Sequence, residues 1–350
     1  MNLNDFINNT SEWLKGTGAY SNIVMSSRIR LARNLTKCPF PNKAGKKEVV
    51  ETLAVIQSAM GEINFFNNAV FLRINDLDNV DRQFLIERHL MSHEHAANPE
   101  GKALVVSAEE ILSVMINEED HLRIQVIQSG LNLDDTFKMA SAIDNALSEK
   151  LDFAYSMQWG YLTACPTNTG TGIRGSVMLH LPALVMTKQI NKVLAAVSKL
   201  SFASRGFYGE GTQASGNIYQ ISNQVSLGHS EEEIIQNING LIRQIIEQEE
   251  QARQALLLQN RVMLEDKIFR SYGVLKHSHI VSSQETVELL SMIRLGVDLE
   301  IIKDVDRNTV NQLFIMLQPA HLQKIEGKKL SASERDIKRA SLLRQKLGGY

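Results

Sequence analysis

Arginine recurs at period two in short runs of this sequence, and that spacing bears on chemistry if the runs are strands. In Ser26-Ser27-Arg28-Ile29-Arg30-Leu31, Arg28 and Arg30 fall on one face and Ile29 and Leu31 on the other. Between Asn117 and Ile124, Glu119, His121 and Arg123 share a face opposed by Leu122 and Ile124. Between Arg174 and Leu181, Arg174, Ser176, Met178 and His180 share one. Arg205 opens a glycine-rich loop, Arg205-Gly206-Phe207-Tyr208-Gly209-Glu210-Gly211. Guanidinium forks match phosphate oxygens two at a time and stay charged when desolvated. Several converging on one sheet face would clamp a polyphosphate without a Walker loop. The other reading is that each arginine edges a sheet and pairs with a nearby carboxylate, and spacing alone leaves both open.

The elements that must position these residues come next. From Ile23 to about Gly228, short β-type runs alternate with helical ones. Strands are expected at 23–30, 69–74, 103–106, 112–116, 121–127, 174–181 and 216–222. Helices are expected at 47–62, 78–91, 133–151 and 183–200. Alternation in several strands gives the sheet one polar face and one face packed on helices, an α+β domain with a mostly antiparallel sheet. The first 20 or so residues read as a short helix and a loop. Beyond Gly228, Ser230 followed by three glutamates is a helix start, and the apolar spacing of Ile234, Ile238, Leu241 and Ile245 carries a helix to about Arg270. Residues from about 260 to 350 read as all-helical.

One motif misleads. Gly170-Thr-Gly172-Ile-Arg-Gly175-Ser-Val177 fits both a dinucleotide fingerprint and the glycine-rich loop of protein kinases. The first should open a helix, yet 176–181 alternates like a strand. The second needs VAIK, HRD and DFG partners that the sequence lacks. These glycines permit tight turns, near a ligand or not.

The charge balance, 37 basic against 39 acidic residues, argues against bulk binding of nucleic acid or anionic membrane. Two cysteines, Cys38 and Cys165, build no disulfide framework or cysteine-rich zinc site. His93 and His95 lack further ligands at a suitable spacing, so a solvated loop and no metal are expected there. With no signal-peptide pattern and no long apolar run, a soluble, cytoplasmic protein is expected.

Five strings in fixed order, SSRIRLARN (26–34), INEEDHLRI (116–124), CPTNTGTG (165–172), RGSVM (174–178) and RGFYGEG (205–211), together resemble the phosphagen (guanidino) kinase family. The resemblance covers roughly 23 to 250. It implies a glutamine-synthetase-like catalytic domain, with an antiparallel sheet flanked by helices. The family carries a helical domain before its SSRxR strand, whereas 25 residues precede that string here and helical sequence follows instead. This layout is similar to the bacterial branch that phosphorylates arginine side chains within proteins. The expected organisation is an N-terminal segment (1–22), a catalytic domain (23–255) and a helical regulatory domain (256–350).

The resemblance further implies ATP with Mg²⁺, the ion held largely by phosphates and water. It implies that Arg28, Arg30, Arg123, Arg174 and Arg205 hold the nucleotide phosphates and the migrating phosphoryl group. Around them it places Ser27, Ile29, Leu31, His89, Gly175, Ser176, Val177, Met178, Gly206, Phe207, Tyr208, Gly209 and Glu210 at the nucleotide, partly through backbone amides. For His89, an ordinary histidine on an amphipathic helix stays open as the other reading. An arginine nucleophile is protonated and lacks a free lone pair, so it needs carboxylates that orient it and take a proton. Glu119 and Glu210 match the family's two glutamates, and Cys165 its substrate-positioning cysteine. Gln220 falls where other members often carry aspartate, and its role is left open. In RDIKRA (335–340), the resemblance implies that Arg335, Asp336, Arg339 and Ala340 form an allosteric phosphoarginine pocket on a helix begun by a capping box at Ser331. Expected partners are protein substrates, a Clp-type AAA+ protease, a zinc-binding activator and a heat-shock repressor, with a homodimer or higher oligomer. The competing expectations are a kinase for free arginine or another small guanidine, and a non-catalytic phosphoarginine-binding adaptor.

Overall fold

The computed structural model describes residues 2–206 and 215–349. Its centre is an eight-stranded antiparallel sheet. The strands are β1 (Val24–Arg33), β2 (Val70–Arg73), β3 (Ala103–Val106), β4 (Leu112–Ile116), β5 (Leu122–Ser129), β8 (Ile173–His180), β9 (Phe202–Gly206) and β10 (Ile218–Asn223). They run in the order β2-β3-β4-β5-β1-β8-β10-β9. A small hairpin, β6 (Tyr155–Ser156) with β7 (Gly160–Tyr161), stands apart. The helices of this part are α1 (Lys46–Met60), α2 (Asn79–Glu87), α3 (His93–Ala96), α4 (Leu133–Ser148), α5 (Pro182–Met186) and α6 (Ile190–Lys199). The helical remainder is α7 (Glu231–Gln259), α8 (Arg261–His277), α9 (Ser283–Asp298), α10 (Arg307–Met316), α11 (Pro319–Glu326) and α12 (Ala332–Leu347).

Period-two alternation decides which face does what. Ile29 and Leu31 of β1, Ile124 and Val126 of β5 and Val177 of β8 are buried in one core with Ile143 and Leu147 of α4 and Ile238 of α7. On the opposite face, Leu104, Val106 and Met115 pack beneath Phe84 and Leu85 of α2. Past Met115 that face turns polar and carries the arginines.

Several expectations shift. The first residues form two 3-10 turns, Leu3–Phe6 and Glu12–Leu14, whose Phe6 and Trp13 are fully buried. This segment is wedged in place: Arg294 donates to the Ser21 and Asn22 carbonyl oxygens (2.8 and 3.3 Å), and Arg307 to that of Gly16 (3.4 Å). The helix expected at 78–91 stops at Glu87, and His89 turns into left-handed space (φ +59°). The one expected at 183–200 is two helices, broken where Lys188 takes φ +59°. Phe202–Gly206 is an edge strand where a loop was expected to open. The long helix after Ser230 breaks at Asn260, so a boundary at 255/256 would fall inside α7.

Candidate active site

The arginines converge. Arg28, Arg30, Arg123, Arg174 and Arg205 come from β1, β5, β8 and β9, and all line one cavity of 1140 Å³. The register sets Arg30 directly opposite Arg174, and Arg28 opposite Ser176. Like charges across a ladder repel, so this placement works against the fold. Arg28 donates to two neutral groups, Gln220 Oε1 (2.7 Å) and Ser176 Oγ (3.3 Å), and Arg174 donates to Ser222 Oγ (3.5 Å). Arg30 is buried, and its Nε and Nη2 make no hydrogen bond among the described residues. Burial first, and then the fields of Arg123, Arg174 and Arg205, lower the Arg28 pKa to about 9. Burial and the same kind of crowding lower Arg30 as well, with Glu118 opposing.

The acids sit at the bend between β4 and β5. Asn117 takes a left-handed φ of +60°, and the chain turns through 117–121 instead of alternating. Glu118 therefore reaches Arg123 (2.5 Å) and accepts from Ser92 Oγ. Burial would raise its pKa, but Arg123 and Ser92 outweigh that and hold it below the usual carboxylate value. Glu119 is exposed in the cavity wall; partial burial and the neighbouring Asp120 and Glu118 raise its pKa, against Arg123 and a hydrogen bond with Cys165. Asp120 Oδ1 accepts from Ala164 N (2.7 Å) and Asn34 Nδ2 (2.6 Å), tying the Cys165 loop to this bend. Cys165 Sγ also lies 3.0 Å from Thr167 Oγ1. Gly172 closes the loop against β1: with φ +68°, a Cβ there would sit 2.7 Å from the Ala32 carbonyl oxygen.

Other expected residues lie elsewhere. Ser27 is buried, its Oγ donating to the Gly130 carbonyl and accepting from Asn132 N. Ile29, Leu31 and Val177 belong to the helix-side core. The Gly175 amide donates to Asn223 Oδ1 (2.9 Å), and its Cα faces Ile238 of α7. β8 is paired on both sides, so the expectation that amides of 172–178 cradle phosphate is corrected for 175–178: the ladders take those of 176–178, and Asn223 takes that of Gly175. Ser176 lies under Arg28, and Met178 and Gly206 are buried beside Gln220 and Tyr219. Phe207, Tyr208, Gly209 and Glu210 lie outside the described residues. His121 does not share a face with Glu119: it is buried behind, its Nδ1 accepting from Leu35 N (3.0 Å).

His89 lines the cavity, its ring edge-on to Trp13 at 5.3 Å. Burial, then Arg28 and His93, lower its pKa to about 3, so it is neutral. The solvated-loop expectation fails for His95, which is fully buried with Nε2 3.0 Å from the Ala103 carbonyl oxygen. No group of three or more His, Cys, Asp or Glu suited to a metal occurs among the described residues. Sequence reasoning missed Glu118, Asp120 and the Gln220 contact; the bend that recruits the two acids breaks the alternation by which they would have been found.

At the far end, Ser331 forms its capping box on α12. Arg335 is half-buried and donates to the Leu330 carbonyl (2.7 Å). Arg339 is buried and donates to the carbonyl oxygens of Leu317 and Val281 (both 2.9 Å) and to Asp336 (2.5 Å). Ala340 is fully buried. Arg339 is thus bonded inside the fold, while Arg335 and Asp336 are half-buried beside it.

Residues 51–252 match the ATP:guanido phosphotransferase C-terminal catalytic domain. The chain belongs to that family. Residues 261–350 match the protein-arginine kinase McsB C-terminal domain. A protein-arginine kinase of Halothermothrix orenii is 50% identical over 99% of both chains. One of Bacillus subtilis is 45% identical over 99% of this chain and 96% of its own. Among solved structures, lombricine kinase matches with a TM-score of 0.60 at 26% identity, over 71% of this chain and 73% of its own. The duplicated taurocyamine kinase of Schistosoma mansoni, with bound transition-state-analogue components, gives 0.59 at 28% over 66% of this chain and 33% of its own. This phosphotransferase shares with them the antiparallel sheet flanked by helices, followed by its helical region. Among the described residues no helix is long and apolar enough to cross a membrane.

Proposed function

We propose that this phosphotransferase moves the γ-phosphoryl group of ATP onto arginine side chains of proteins. The observation that carries the reading is the crowd of arginines in one cavity with Arg30 Nε and Nη2 unbonded: four negative phosphate charges supply what the sheet lacks. Phosphoryl transfer is mostly positioning and charge neutralisation. Arg28, Arg30, Arg174 and Arg205 hold the phosphates, and Arg123, oriented by Glu118, faces the migrating group. The substrate guanidinium lies against Glu119, whose raised pKa suits it to accept the proton released as the N–P bond forms. Cys165 orients the same guanidinium, and Asp120 holds the two together. Glu210 is the second acid of this proposal. Ser27, Ile29, Leu31, Gly175, Val177 and Met178 act behind the arginines by shaping the strands that carry them. Mg²⁺ would be held by nucleotide phosphates and water.

The protein-side substrate is favoured over free arginine by the match of the helical region and by the named activity of full-length relatives. The helical part, from α8 onward, would regulate through phosphoarginine at Arg335 and Asp336, with Arg339 and Ala340 beneath. The resemblance supports a cytoplasmic homo-oligomer working with a Clp-type AAA+ protease, a zinc-binding activator and a heat-shock repressor. Incubation with γ-labelled ATP and an unfolded protein tests the reaction. Acid-labile, base-stable label on arginine, lost in Glu119→Ala, is expected. Efficient labelling of free arginine with none on protein would replace the reading with a small-guanidine kinase; no transfer at all would leave the adaptor.

A further inference from the structure

The β6–β7 hairpin presents large apolar side chains to water: Met157 is 95% exposed, Tyr155 57% and Trp159 49%. Single exposed apolar residues are ordinary, but three within five positions form a patch. The hairpin is built firmly. Tyr155 pairs with Tyr161 and Ser156 with Gly160, and the two tyrosine rings meet edge to face at 5.2 Å. The Arg33 guanidinium lies 3.5 Å above the Tyr161 ring and is itself fixed by Asp144. Gly160, at φ +70°, approaches the Gly170 carbonyl so closely that a Cβ would sit 2.4 Å from it. Beside the hairpin lies an open groove of 620 Å³ whose lining joins Leu151, Phe153, Tyr155 and Tyr161 to the polar Thr36, Ser148 and Asp152.

This patch is continuous with the catalytic loop. Tyr161 N donates to the Gly170 carbonyl (2.7 Å), Leu162 N to that of Ala154 (2.9 Å), and Ala164 N to Asp120. Cys165 follows Trp159 by six positions, so the two are at most about 20 Å apart along the chain. An extended substrate would cover that distance with about six residues.

We propose that the hairpin tip and its groove bind an apolar side chain of the protein substrate a few residues from the target arginine. The enzyme thereby selects arginines in unfolded polypeptide. This rests on the protein-substrate reading above. Folded proteins bury apolar side chains and rarely offer one in extended chain beside an exposed arginine; unfolded ones do. Methionine adapts to varied partners, while tyrosine and tryptophan supply rigid area.

The test uses the full chain carrying Met157→Ser and Trp159→Ser together, sparing Tyr155 because it packs on Tyr161. Substrates are reduced, alkylated lactalbumin, a Gly/Ser peptide with one arginine, and that peptide with Phe placed five residues from the arginine. Expected is a KM raised about tenfold for the first and third, with kcat within about twofold and the plain peptide unaffected. An unchanged KM, or equal loss on all three, overturns the proposal. So does a change in sedimentation with unchanged KM, which assigns the tip to a second copy of the chain. Trp159 is the exposed one of two tryptophans, Trp13 being buried, so its emission should shift to the blue when unfolded protein is added without ATP. A shift without any arginine labelling sinks the proposed reaction but keeps the docking; labelling without a shift does the reverse.

Discussion

Two groups of arginines in this molecule, Arg88, Arg253 and Arg294 on one side and Arg28 and Arg30 on the other, are treated in opposite ways. At the junction between sheet and helical region, each of the first three guanidinium groups meets a carboxylate. Arg88 bonds Glu110, Ser11 Oγ (2.9 Å) and the Asn9 carbonyl (2.9 Å). Arg253 meets Glu249 (2.9 Å), and Arg294 meets Asp298 (3.3 Å) and Asn311 (2.9 Å). In the cavity, Arg28 leans on a neutral amide and Arg30 keeps two N–H groups unbonded. Buried charge persists only where it is paired or where a ligand completes it. The first set holds the parts together, and the second is arranged for an anion the chain does not contain.

The comparison breaks most sharply under one substitution made in each set. Arg30→Ala should lower the transfer rate on the order of 10³-fold, with the fold intact by circular dichroism. Arg88→Ala should instead strand Glu110 and cost about 3–5 kcal/mol in denaturant unfolding. Next in size is the acid sensitivity of two buried histidines, of which His321 lies at the junction and His95 on α3 against Ala103. Burial holds His321 and His95 at pKa values of about 4, below the ordinary value of 6.5. The unfolded chain then binds more protons as pH falls through 6.5 toward 4, so stability is full above 6.5 and lost on the way down. Each histidine should cost about 2 kcal/mol between pH 7 and pH 5. Melting curves should show this, and His321→Gln should flatten the slope. Smaller again, Gln220→Glu should pair with Arg28 and weaken ATP binding by roughly tenfold at low salt, a change calorimetry reads. Smallest is Cys165→Ala: it removes a hydrogen bond that lowers the Glu119 pKa, so the acid limb of the pH–rate profile should move to higher pH.

The division between the two sets was half legible. Period two in 26–31 and 174–181 placed Arg28, Arg30 and Arg174 correctly, because both runs are interior strands with one face forced into the core. It failed at 117–121, where the left-handed Asn117 bends the chain, hides His121 and hands Arg123 to Glu118. It also passed over Phe202–Gly206, an edge strand with little burial to impose a pattern. The junction was invisible, since Arg88, Glu110 and His321 are joined by packing across more than two hundred positions. Local spacing has no access to such contacts.

Thermal melting of Arg30→Ala beside the unaltered chain, with and without ATP, tests the central claim directly. Without ATP the variant should melt at the same or a higher temperature, because it sheds an unpaired buried charge. With ATP the unaltered chain should gain several degrees and the variant almost none. A variant that melts lower than the unaltered chain and still gains fully from ATP would contradict the account.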